Sequence, residues 1–272
     1  MTAFEHVLVT GGSSGIGKET ARRFARLGAH VTLLARRQSL LEQARSQIEA
    51  ERAHPGQQIL AISVDVSQRE AVEAAVRQAE AAAGPPDVLV ACAGMARPGY
   101  FHEVPLEVFE ESLRVNYLGT LYAVRAVEPQ MRARGRGHIV LVSSGAGIVG
   151  LFGYTPYAPT KFAQRGLAES LRGELKRHGI RVSIVYPPDT DTPQLAEENR
   201  TKPAETRAIT GAAKVWQPGA VADAIVRGVQ RGRFAITPGW EMTWLLRLHS
   251  VLRPVLQAWF DRLARAASAP RA

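Results

Sequence analysis

His6-Val7-Leu8-Val9-Thr10-Gly11-Gly12-Ser13-Ser14-Gly15-Ile16-Gly17 carries an apolar, β-branched run straight into a glycine-rich turn. The run reads as a buried strand over 6–10, and the residues that follow read as a helix over 15–27 that stops at Gly28. Glycines let the backbone turn sharply and come close to a ligand. The start of the helix offers free N–H groups and partial positive charge, which suit a pyrophosphate. The spacing is GxxxGxG, not the commoner GxGxxG. Taken alone, such a turn is also an ordinary strand-to-helix connection, so its meaning depends on what surrounds it.

Moving outward, short apolar runs alternate with amphipathic stretches. Strands are expected at 31–35, 59–65, 88–91, 139–143, 182–186 and 234–237, and helices at 39–52, 68–83, 106–134 and 157–178. This alternation indicates βαβ units with right-handed crossovers and a parallel sheet covered on both faces. The expected architecture is α/β: a three-layer, doubly wound Rossmann-type sheet over 1–239. Residues 187–216, rich in Pro, Thr, Glu and Asn, read as an excursion from the sheet that forms a lid. In this setting the Gly-rich turn reads as a dinucleotide cradle.

The second strand ends Leu34-Ala35-Arg36-Arg37. In a Rossmann unit an acidic residue here binds the ribose 2′-hydroxyl, whereas Arg accommodates a 2′-phosphate. Two arginines, whose planar forks suit phosphate, favour NADPH/NADP. The competing reading is a solvated pair at the start of the next helix. Asp65, at the end of the third strand, is a candidate for the adenine edge and equally for a helix cap.

The chemistry is read from Ser143-Ser144 and from Tyr157-Ala158-Pro159-Thr160-Lys161. Tyr157 and Lys161 are four apart and share a helical face. A tyrosine, with an ordinary pKa of about 10, exchanges protons poorly at neutral pH. A nearby ammonium is expected to lower that value and to reach a nicotinamide ribose. Ser144 is placed to hold a carbonyl, and Asn116 to fix a water that links Lys161 to solvent. A Tyr and a Lys one turn apart also occur on ordinary helix surfaces. Pro159, however, is tolerated only in a first turn, which puts Tyr157 at the helix start.

Together, the Gly-rich turn, Asn116, Ser144 thirteen residues before Tyr157, and Tyr157…Lys161 resemble the classical short-chain dehydrogenases/reductases over residues from about 5 to 240. The resemblance implies Tyr157 as acid/base, Lys161 as its electrostatic partner and ribose ligand, Ser144 as carbonyl anchor, and Asn116 as proton-relay residue. It implies a nucleotide site built from Gly11, Ser13, Ser14, Gly15, Ile16 and Gly17, with Arg36, Arg37, Asp65 and Val66. Gly94, Pro187, Thr190 and Thr192 complete that site around Tyr157 and Lys161, and no metal is implied. Within the family, Tyr186–Pro193, 197–207 and Gly150-Leu151-Phe152-Gly153-Tyr154 are similar to 3-ketodihydrosphingosine reductases. That similarity implies reduction of a sphingoid ketone. Three departures stand out. Ala91-Cys92-Ala93-Gly94 replaces the usual Asn-Asn-Ala-Gly, which removes a side chain that ties the centre of the sheet. Pro188 replaces a common Gly, and Pro159 a common Ala.

Apolar residues from Trp240 to Leu263 fall at helical spacing, with Arg247, Arg253, Arg262 and Arg265 mostly off that face. The segment 240–272 thus reads as an amphipathic helical extension that Pro254 should kink or split. It would lie on a membrane interface, on the domain's own core, or on another subunit. Pairing of the long helices into a dimer or tetramer is implied by the family resemblance. The net charge of +9 suits a phosphate-bearing cofactor or an anionic surface, and no nucleic-acid motif is present. One cysteine, no signal-like N-terminus and no run of about 18 apolar residues lead to the expectation of a cytoplasmic protein, peripheral on a membrane at most. The alternatives to a sphingoid reductase are a reductase of another apolar ketone, 3-oxoacyl or steroid, and a non-catalytic dinucleotide sensor.

Overall fold

The computed structural model describes residues 4–211 and 213–268. The ends of the expected domain and tail, 1–3 and 269–272, lie outside the described residues. The sheet has seven strands: β1 (His6–Thr10), β2 (His30–Ala35), β3 (Ile59–Ser63), β4 (Val88–Ala91), β5 (Gly137–Val142), β6 (Ile180–Val185) and β7 (Ala235–Ile236). All pairs are parallel, in the order β3-β2-β1-β4-β5-β6-β7. The helices are α1 (Gly15–Arg26), α2 (Gln38–Glu49), α3 (Arg69–Ala83), α4 (Leu106–Ser112), α5 (Gly119–Ala133), α6 (Ala158–Leu175), α7 (Pro193–Thr201), α8 (Ala204–Thr210), α9 (Pro218–Gln230) and α10 (Trp240–Ser268). The strand order reverses between β1 and β4. In open α/β sheets ligands bind in the crevice at the carboxyl ends of the strands at such a point.

The strands look uniformly apolar in sequence but divide cleanly by face, because successive side chains point to opposite sides. Val7, Val9, Val31, Leu33, Val88 and Val90 pack with Phe24 of α1, Ile48 of α2 and Ile225 of α9. Leu8, Leu34, Leu89, Ile139 and Leu141 face Val76 of α3, Val127 of α5 and Ala168 of α6. The two cores lie on opposite sides of one sheet, so the expected three-layer form is observed.

Two sequence expectations are corrected. The single helix expected over 106–134 is interrupted by a π-helical turn, Leu113–Leu118. Within this turn Asn116 is fully buried, and its carbonyl accepts side-chain donors from Thr120 and Gln164. Such turns concentrate at functional sites. Pro254 does not split the terminal segment, and α10 runs from Trp240 to Ser268 through it. Met242 of α10 is buried in the core, with Leu245 and Leu246 packed against it, so the first turns of this helix belong to the domain.

Thr10 answers the missing Asn. Its hydroxyl accepts the backbone N–H groups of Cys92 and Ala93, both at 3.1 Å, and joins β1 to the end of β4.

Two buried histidines sit at the opposite, amino end of the sheet. His6 Nδ1 donates to the Gly84 carbonyl at 2.6 Å and Nε2 meets Thr32 Oγ1 at 2.9 Å. His138 Nε2 meets Ser183 Oγ at 2.7 Å, and that hydroxyl donates onward to the Arg233 carbonyl. Burial lowers each imidazole to about 4. Both folded values lie below the unfolded value, so the unfolded chain binds more protons between pH 6.5 and 4, and stability falls as pH falls through that window. Each histidine is expected to contribute up to roughly 3 kcal/mol to this loss. Urea unfolding at pH 7 and pH 4.5 checks it: the His6→Asn/His138→Asn double variant should show a smaller drop between the two pH values than the native chain.

Candidate active site

The carboxyl edge of the sheet opens into a cavity of about 1300 Å³. The turn after β1 forms one wall. Gly11 has φ +69°, and a Cβ there would lie 2.8 Å from Ala93 N. A Cβ on Gly17 would lie 2.4 Å from the Gly11 carbonyl oxygen. Both positions therefore require glycine. Ser14 precedes α1 in extended backbone without capping it through its side chain, which leaves the first-turn N–H groups for a ligand. Gly11, Ser13, Ser14, Gly15, Ile16 and Gly17 all line the cavity.

Arg36 and Arg37 line the same cavity at the end of β2. Arg36 is half exposed and only 3.9 Å from Glu111, so its guanidinium remains accessible. Val66, Gly94, Pro187, Thr190 and Thr192 are also at the wall. Asp65 is not: its carboxylate accepts the Ser67 amide at 2.9 Å in the turn leading to α3. The carboxylate is held within this turn, and Gln68 rather than Asp65 takes the N-cap of α3. An uncapped helix start with two accessible arginines fits an anionic dinucleotide that carries an additional phosphate.

Tyr157 occupies the N-cap position of α6, with Pro159 in the first turn as the residue type requires. One turn on, Lys161 is buried. Its Nζ donates to the Val142 carbonyl at 3.0 Å and to Gln164 Oε1 at 3.2 Å, and lies 5.4 Å from the centroid of the Tyr157 ring. Ser144 and Gln194 stand near the Tyr157 hydroxyl and lower its phenol. Ser143 instead donates to the Lys161 carbonyl at 3.1 Å and supports α6.

The expected lowering of the Tyr157 phenol by Lys161 is not found. Burial raises it, the negative charge of Glu198 raises it further, and the hydrogen bonds from Ser144 and Gln194 only partly oppose them. Lys161 lies over the ring with its donors aimed at Val142 and Gln164, so its charge is not aimed at the hydroxyl. Burial also lowers Lys161 itself, to about 8.

Asn116 is held in place by protein partners. Its Nδ2 donates to the Met95 carbonyl and to Thr160 Oγ1, both at 3.0 Å, and its Oδ1 accepts the Met95 amide at 2.8 Å. Its own carbonyl accepts Gln164 Nε2 at 2.7 Å. The carboxamide of Gln164 thus joins Lys161 to the Asn116 carbonyl directly. Gln164 belongs to no motif, and its place three residues after Lys161 on α6 was the one signal in the linear order that could have marked it.

Residues 5–203 match the family model described as short chain dehydrogenase. The chain belongs to this family. It is 47% identical over 251 residues to a 3-dehydrosphinganine reductase of Danio rerio, covering 92% of this chain and 76% of that protein. It is 40% identical to a 3-ketodihydrosphingosine reductase of Dictyostelium discoideum, covering 95% of this chain and 82% of that one. Among solved structures, the short-chain dehydrogenase from Sphingobium yanoikuyae in complex with NADPH is similar at a TM-score of 0.78 and 28% identity, over 93% of this chain and 95% of that chain. The family sequence motifs lie together at one cavity here, with Asn116 immediately behind its wall.

Three more residues of the wall were not singled out from sequence: Tyr154, Gln194 and Glu198. Tyr154 and Glu198 lay in the stretches that carried the resemblance, but only folding brings them beside Tyr157.

Gln164→Leu removes an acceptor from the Lys161 ammonium and should lower its pKa further. The alkaline limb of the kcat/KM profile, set by loss of that proton near pH 8, is expected to move to lower pH. An unchanged limb in a folded variant would show that the Gln164 contact does not tune Lys161.

Proposed function

We propose that the protein reduces the 3-keto group of 3-ketodihydrosphingosine to the alcohol of dihydrosphingosine. NADPH supplies the hydride. The observation that carries this reading is one continuous cavity in which Arg36 and Arg37, the Tyr157–Lys161 pair and the apolar side chains Leu245, Leu256 and Phe260 all share the wall. Relatives at 47% and 40% identity bear that substrate in their names.

The chain's own residues account for the proton. Reduction needs a phenol that still carries its hydrogen, and burial with the Glu198 charge holds Tyr157 in that form. Ser144 orients the carbonyl oxygen toward the phenol. Tyr157 then passes its proton to the oxygen as carbon accepts hydride, so a C–H and an O–H bond form and the C=O π bond is lost. The Lys161 ammonium beside the ring opposes the phenolate charge left behind. The first N–H groups of α1 would hold the pyrophosphate, and Arg36 and Arg37 the 2′-phosphate. The segment 187–216, with α7 and α8, forms the lid over this cavity.

Purified protein should oxidise NADPH in the presence of 3-ketodihydrosphingosine, with NADH a poor substitute and a short 3-oxoacyl thioester a poor substrate. Tyr157→Phe should cut kcat by about a thousandfold or more while retaining NADPH binding. Full activity in that variant would rule out the phenol as proton donor. Preference for the thioester would favour the second reading, a reductase of another apolar ketone.

The same reading takes the protein to the cytoplasmic surface of a membrane. No helix among the described residues is long and apolar enough to cross one. Trp240, Trp244, Leu248, Val251, Leu252, Val255 and Trp259 nonetheless form an exposed stripe along α10, while Leu256, Trp259 and Phe260 line the cavity. A helix with tryptophans on one face and arginines off it suits an anionic bilayer interface, and here it would set the cavity mouth at the lipid. Vesicles containing phosphatidylserine should pellet the protein and blue-shift its tryptophan emission, with Val251→Glu/Val255→Glu reducing both. Failure to bind vesicles would remove this assignment.

A further inference from the structure

Glu198 is an acid in a cavity wall where a purely apolar ketone would have no use for one. It lies on α7 and is 7% exposed. Its Oε2 accepts the Tyr154 hydroxyl at 2.7 Å and its Oε1 accepts Gln194 Nε2 at 2.8 Å. Both bonds come from neutral donors, and among the described residues no cation stands within ion-pair distance of Glu198. Lys202, whose charge reaches it, pairs instead with Asp189 at 3.8 Å. The neighbouring Glu197 is exposed and paired with Arg200 at 2.8 Å. A carboxylate taken out of water without a counter-charge costs several kcal/mol, and burial accordingly raises the Glu198 pKa. Two accepted hydrogen bonds leave lone pairs on a carboxylate that can take about four.

Glu198 is also close to the reacting group. Gln194 donates to the Glu198 carboxylate and also lowers the Tyr157 phenol, so its carboxamide is near both the phenol and the acid. The rings of Tyr154 and Tyr157 lie 5.8 Å apart on the same wall. A ketone with an amine on the adjacent carbon likewise presents a carbonyl oxygen and an ammonium close together, on neighbouring carbons. We propose that Glu198 is an ammonium subsite: its carboxylate receives the protonated amine next to the ketone while Tyr157 meets the carbonyl oxygen. The inference rests on the sphingoid reading above and deepens it, since the amine distinguishes that substrate from 3-oxoacyl and steroid ketones. The ligand's charge supplies the partner that the fold withholds, and registers the chain so that C3 lies beside the phenol.

The test compares 3-ketodihydrosphingosine with the same 1-hydroxy-3-ketone lacking the amine, using wild type and Glu198→Gln with NADPH. Wild type should favour the amino ketone in kcat/KM by tenfold or more, and in Glu198→Gln this preference should fall by at least tenfold, mainly through KM. A preference that is unchanged in the variant overturns the subsite while leaving the sphingoid reading intact. Wild type inactive on both ketones is the separate failure of the sphingoid reading, and removes the inference with it. If Glu198→Gln does not fold, inhibition of wild type decides: dihydrosphingosine should compete at least tenfold more tightly than its des-amino 1,3-diol, and equal inhibition overturns the proposal.

Discussion

A buried ammonium that forms no ion pair among the described residues organises the centre of this protein. Lys161 is 4% exposed and is held by the Val142 carbonyl, the Gln164 carboxamide and the face of the Tyr157 ring. Each partner comes from a different constraint. Val142 ends β5, so the sheet must present its carbonyl there. Gln164 and Tyr157 flank Lys161 on one face of α6. Gln164 is in turn anchored to Asn116 and Thr120, and Asn116 to Met95 beyond β4. A charge kept from water without a counter-ion survives only while every such contact is in place, so the crevice at the β1/β4 reversal is held rigid from behind.

The front of the cavity is built differently. Acids stand on this wall: Glu198 on α7, and Asp189 in the loop before it. Burial raises Tyr157 and lowers Lys161, so the empty pocket favours the neutral form of each group. Reduction begins from a neutral phenol, so the desolvated pocket favours the starting protonation state of that direction.

Much of this was legible in the linear order. The strand-turn-helix at His6–Gly17, the four-residue spacing of Tyr157 and Lys161, and Pro159 in the first turn of α6 depend only on residues within a turn or two of each other. The π-helical turn at Asn116 was not legible, because 106–134 has an unbroken helical pattern and the cause lies in side chains of α6. Asp65 read equally as an adenine ligand or a cap, and in the fold Gln68 takes the N-cap of α3 while Asp65 accepts the Ser67 amide. Pro254 signalled a break that α10 does not make, since the early turns of that helix are held on the core by Met242, Leu245 and Leu246.

The sequence by itself determined the sheet, the glycine-rich turn after β1 and the one-turn spacing of Tyr157 and Lys161, because backbone geometry and side-chain periodicity are local properties. Tertiary structure alone decided which polar groups lose water and what they then touch. The direction of the Tyr157 shift, the burial of Lys161 beside Gln164, and the burial of Glu198 without an ion pair among the described residues are all matters of desolvation. Desolvation depends on atoms brought together from β5, α6, α7 and the turn at Asn116, and no single stretch of chain contains them.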